Sequence, residues 1–170
     1  QHTSNDINQF PARAGLIAAR YLLRQHHGNG AQFLVRASLA AASYLVRQHD
    51  YNAASCLLEC TLTRQGYSPV TSLAVIPLLR RIAEATGGLK DLVVLAAALR
   101  KVAPGESGTL LRRAYNQART DGDDALASTT AGELITLLRD QDRLGEALTL
   151  ADQKIKLSRQ AAFGTWTQLS

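Results

Sequence analysis

With 170 residues, the chain has room for one packed domain or a short array of helical repeats, and its 46% hydrophobic content is that of a folding sequence. Aromatics make up only 5%, and the net charge of +5 comes from 19 basic and 14 acidic residues dispersed along the chain, so no basic block marks a polyanion-binding tail. No run reaches the roughly 18 apolar residues a membrane span needs, and no secretory signal pattern opens the chain.

The absence of methionine, including an initiator, points to a piece of a longer protein, and the expected compartment is cytoplasmic. Residues 1–10 are polar and read as a flexible lead-in. Pro11 suits the first turn of a helix carrying Leu16, Ile17, Tyr21 and Leu22, which breaks at His26, His27, Gly28, Asn29 and Gly30. A second helix is expected over about 31–48 and a third over about 51–64, the latter stopping at Gly66 with Pro69 beyond it as a terminator. Between them, small residues (Ala40, Ala41, Ala42, Ala53, Ala54) lie where two antiparallel helices approach closely.

Thr71 or Ser72 is the expected cap of a fourth helix that ends at Gly87 and Gly88 and contains Pro77, where a backbone hydrogen bond is lost and a bend is expected. A fifth helix, about 89–102, closes at Pro104 and Gly105; a sixth opens at Ser107 or Thr109. Asp121, Gly122 and Asp123 break the sixth, and a seventh (about 124–140) and eighth (about 143–158) follow. Phe163, Trp166 and Leu169 form a helical stripe in the tail, interrupted by Gly164. No segment of strand length alternates in hydrophobicity, so strand content near zero is expected.

Three turns share one grammar. Asp50 and Tyr51 are followed by Ala54 and Leu58, Gly88 and Leu89 by Leu92 and Ala96, and Arg143 and Leu144 by Ala147 and Ala151. The preceding helices carry Ala41, Ala42 and Leu45; Leu79, Arg80 and Ala83; and Leu134, Ile135 and Leu138. This pattern resembles the tetratricopeptide repeat, a helix-turn-helix unit of about 34 residues. The resemblance implies an all-α fold, a right-handed superhelix of antiparallel hairpins (an α-solenoid) with about eight or nine helices. It places a single repeat domain over residues 11–170, with units at about 35–67, 73–106 and 128–160. Small residues meet at the helix crossings, Ala42 with Ala54 and Ile135 with Ala147, and Leu45, Ala83 and Leu138 replace the usual tyrosine. The chain departs from the family in its uneven spacing, in Arg80 at a crossing site and in the sixth helix, which reads as an insertion.

Within such a stack the first helix of each unit lines a concave face. The residues implied there are Arg36, Leu39, Ser43 and Arg47; then Leu78, Arg81 and Glu84; then Thr129, Glu133, Thr136 and Arg139. Leu39 and Leu78 would be apolar anchors, and Arg36, Arg47, Arg81 and Arg139 would select carboxylates or phosphates by bidentate contacts. The competing reading is that these are ordinary solvated faces of amphipathic helices. The Lys and Asn clamp of chaperone-binding members is replaced by Leu39 and Ser43.

Other chemistry is sparse. Cys56 and Cys60, four apart on one helix, read as small buried thiols in a reducing compartment. His26 and His27 point to different faces, and Gly28, Asn29 and Gly30 lack the lysine of a phosphate loop. His49 beside Asp50 reads as a turn contact, and Asp121 to Asp124 as a loop with a helix cap, because calcium-loop spacing fails. No catalytic triad, cofactor motif or metal-ligand set is found, so the expectation is no enzyme, no cofactor and no metal. The leading reading is a non-catalytic protein-binding scaffold whose partner is a peptide, acidic or phosphorylated, or another domain of the parent chain. The alternative is a ligand- or peptide-sensing regulatory domain of a larger signalling or transcription protein, with Pro77 and the glycine pairs as flex points. Nucleic acid is disfavoured by the scarcity of aromatics for stacking, and no membrane partner is expected.

Overall fold

A computed structural model describes residues 30–167 of the chain, with side chains described through residue 159. Over that range there are seven helices and no strand: α1 (Gly30–Arg47), α2 (Tyr51–Arg64), α3 (Pro69–Thr86), α4 (Leu89–Leu99), α5 (Pro104–Thr120), α6 (Asp124–Asp140) and α7 (Leu144–Thr167). The helix expected after Pro11, together with His26, His27, Gly28, Asn29 and Leu169, lies outside the described residues. The chain divides into two compact units, 1–86 and 87–170, and this division falls inside the 73–106 span.

Helix ends follow local capping chemistry. In three places a helix closes and the next opens within three residues: Gln48, His49, Asp50; Asp121, Gly122, Asp123; and Gln141, Asp142, Arg143. The middle residue of each is left-handed, with φ of 59°, 72° and 60°. The third residue's N–H donates back to a helix carbonyl at 2.9 Å: Asp50 to Leu45, Asp123 to Ala118, Arg143 to Leu138. This six-to-one bond satisfies a carbonyl the helix end would otherwise orphan. The same third residue starts the following helix. Asp50 Oδ1 accepts from the Ala53 N–H at 3.1 Å, Asp123 Oδ1 from the Leu126 N–H at 2.9 Å, and Arg143 grips Glu146 at 2.7 and 2.8 Å.

Two prolines expected to stop helices start them instead. Ser68 caps α3, its hydroxyl accepting from the Thr71 N–H at 3.3 Å, and Pro69 takes the first helical position. Pro104 likewise opens α5 after Ala103. Proline's fixed φ and missing N–H suit this first position, where the N–H has no intrahelical acceptor. Thr71 and Ser72, the expected caps, are therefore internal and buried. Pro77 stands inside α3 on its exposed side, where it withholds an N–H from the Leu73 carbonyl one turn earlier.

In the first unit α1 packs on both α2 and α3, and α2 on α3. Ala42, Ala54, Leu58, Leu62, Val75, Leu79 and Ile82 are buried there; the alanines on α1 and α2 are fully so, which lets backbones come close. In the second unit α4 packs on α5 and α6, α5 on α6, and α6 on α7. Its core joins Val93, Ala96, Leu111, Ala114, Leu134 and Leu137, with a second cluster of Ala118, Ala127 and Leu157. The sixth predicted helix, read as an insertion, is thus α5, the packing partner of α4. Ser107 and Gly108 occur where α5 needs small residues. A Cβ on Gly108 would meet Leu137 Cδ2 at 3.3 Å, and the Ser107 hydroxyl donates to the Ala96 carbonyl at 2.6 Å. That carbonyl lies in the last turn of α4, where helix donors run out.

Candidate partner-binding surface

On α1 the buried stripe runs through Ser38, Ala42, Leu45 and Val46. Arg36, Leu39, Ser43 and Arg47 recur at helical spacing along one edge of it. Leu39 and Ser43 are half-buried, while Arg36 and Arg47 are exposed. On α3, which packs against α1, Arg81 and Glu84 are exposed. Among the described residues Arg36, Arg47 and Arg81 have no ion-pair partner.

Leu78 does not join them. It is only 7% exposed and belongs to the core of α3 with Val75, Leu79 and Ile82, so it cannot anchor a ligand at the surface. Its position one turn from both Val75 and Ile82 puts it on the apolar stripe.

The second unit carries Thr129, Glu133, Thr136 and Arg139 on α6. Thr129 and Thr136 spend their hydroxyl protons on their own helix, donating to the Ala125 and Gly132 carbonyls at 3.0 Å. Arg139 is 66% exposed and sits 3.7 Å from Asp140. Glu133 faces Arg100, the C-cap of α4, at 3.5 Å, and Asp140 faces the same guanidinium at 3.5 Å. Arg100, whose side chain is 14% exposed, so ties the end of α4 to two carboxylates of α6 spaced two turns apart. Sequence reasoning assigned Arg100 no role; its partners are 33 and 40 residues away and share no local pattern with it.

Other candidates resolve locally. His49 Nδ1 lies 3.0 Å from the Tyr51 hydroxyl, with the rings edge-on, and Asp50 caps α2, so the pair serves the turn. Cys56 and Cys60 are free and exposed, contrary to the buried thiols expected. They fall on the side of α2 opposite Ala54, Leu58 and Leu62, and cysteine's apolar character did not decide which face it took. Among the described residues no helix is long and apolar enough to cross a membrane. On α7, Leu144, Leu148 and Ile155 are exposed along one helical stripe. No family model, curated protein or solved structure matches this chain.

Proposed function

We propose that this chain is a non-catalytic protein-interaction module built of tetratricopeptide-like helix hairpins. In this reading the α1 and α3 face of the first unit docks an acidic or phosphorylated peptide, or an acidic surface of another domain of the parent protein. The observation that carries the reading is that three exposed arginines, Arg36 and Arg47 on α1 and Arg81 on the packed helix α3, have no ion-pair partner among the described residues, with the half-buried Leu39 at helical spacing from Arg36 and Arg47. Guanidinium groups not already paired offer forked donors to carboxylates and phosphates, and Leu39 supplies apolar contact. With Leu78 in the core, Leu39 is the remaining apolar anchor of the set, so charge dominates the expected affinity.

The test is an array of acidic and phosphorylated peptides probed with the full chain and with the Arg47→Ala, Arg81→Ala double variant. Both side chains are exposed, so the variant should keep the helical signal of the parent. Losing two charge-assisted contacts should weaken a positive peptide by at least about tenfold. Undiminished binding in a folded double variant would rule the face out.

A further inference from the structure

A polar concavity lies in the second unit, on two helices that carry none of the residues just discussed. It is an open cleft of about 610 Å³ lined by Tyr115, Asn116, Arg119 and Thr120 of α5 and by Gln153 and Lys156 of α7. Neither helix touches the other along its backbone, since α6 lies against both, and one side-chain bond spans the gap. The Tyr115 hydroxyl donates to Gln153 Oε1 at 3.2 Å. That bond orients the Gln153 amide and leaves its NH2 group without an acceptor among the described residues.

The charges in the cleft are one-sided. Arg119 and Lys156 line it, no carboxylate does, and among the described residues neither cation has an ion-pair partner. Asp121, just past the end of α5, accepts a hydrogen bond from the Gln117 amide at 2.7 Å. Asp152, beside Gln153 on α7, is exposed and outside the lining. Two cations sharing a cleft repel each other, and an anion placed between them turns that repulsion into attraction. Guanidinium, ammonium and two side-chain amides provide donors in excess of acceptors, which suits an oxygen-rich dianion.

We infer that this cleft binds a phosphate monoester, with Arg119 and Lys156 on the phosphoryl oxygens, the Asn116 and Gln153 amides as further donors, and the half-buried Tyr115 ring against the ester's carbon skeleton. The monoester has two possible sources, a small metabolite or a phosphorylated side chain of a partner. This site goes beyond the peptide-docking face of the first unit and shares no residue with it.

The experiment titrates the full chain, isotopically labelled, with phosphoserine, following backbone amides of residues 115–120 and 152–157. Saturable shifts confined to those amides are expected below about 10 mM, a weak-site range. In Arg119→Ala, Lys156→Ala the affinity should fall by at least about tenfold. In Lys90→Ala, Arg113→Ala, which removes the same charge from exposed positions off the cleft, it should stay within about twofold. No shift at these amides, shifts that persist in the cleft variant, or an equal loss in the control variant would each overturn the assignment. A phosphoserine peptide that binds more tightly than phosphoserine while its unphosphorylated form does not bind identifies a protein source; equal affinity identifies a small ester.

Discussion

Ser107 shows how one side chain joins two helices. The last carbonyls of α4 have no following helical turn to supply donors, and chain-local N–H groups reach only some of them: Arg100 N–H serves Ala97, and Val102 and Ala103 N–H serve Leu99. The Ala96 carbonyl, buried against α5, takes the Ser107 hydroxyl at 2.6 Å. Ser55 and Ser72 are also buried, yet their hydroxyl oxygens have no hydrogen-bond partner among the described residues. The three serines should therefore respond differently to the same change. Ser107→Ala leaves a buried acceptor without a donor and should cost about 1–3 kcal/mol. Ser72→Ala removes an unsatisfied oxygen and should be neutral or stabilising by up to about 0.5 kcal/mol. Urea denaturation of the two variants checks the contrast; equal losses would mean that burial rather than the bond to Ala96 sets the cost.

Turns are the recurring element of this fold. Each of the three-residue turns requires a left-handed residue in its middle, supplied by His49, Gly122 and Asp142. Glycine adopts that conformation without strain, whereas a side chain adds about 1–2 kcal/mol, less for Asp. Gly122→Ala should thus destabilise by about 1 kcal/mol. Asp142→Gly, in a turn with the same backbone bonds, should stabilise by about 0.5–1 kcal/mol. Opposite shifts in thermal midpoint are expected, and shifts of the same sign would show that side-chain contacts outweigh backbone strain there. Much of this was legible in sequence: the bounds of the helices around Asp50 and Asp123 follow from an aspartate placed to cap. Pro69 and Pro104 were misread because proline both ends one helix and begins the next. Only the positions of Ser68 and Ala103 as caps decide between these.

At the scale of the whole molecule, α4 to α7 share two buried clusters among the described residues, from Val93 on α4 to Leu157 on α7, reinforced by Arg100 between Glu133 and Asp140. A compact unit with a hydrophobic core of its own is, in principle, able to fold alone. Expressed by itself, 87–170 should show a strongly helical circular dichroism spectrum and a cooperative thermal transition. A featureless melt would mean that this core needs the rest of the chain. The arginine surface was legible only in part. Arg36, Arg47 and Arg81 are exposed, as helix periodicity requires, but periodicity could not tell whether Leu78 is exposed or belongs to the core. Which flank of α3 is covered depends on its packing within the first unit, and those contacts are not encoded at fixed sequence spacing.

By itself, the sequence determined the helical class and most of the helix boundaries between residues 30 and 143, whereas the last helix runs on to Thr167 past its expected end near 158. Those properties rest on short-range terms: the 3.6-residue apolar period, capping side chains, and glycine or proline at chain reversals. Tertiary structure alone decided that α4 pairs with α5, that Leu78 is interior while Cys56 and Cys60 face outward, and that Tyr115, Arg119, Gln153 and Lys156 share one cleft. Each of these joins residues through packing between helices, and an amphipathic pattern specifies that a face is buried without specifying what buries it.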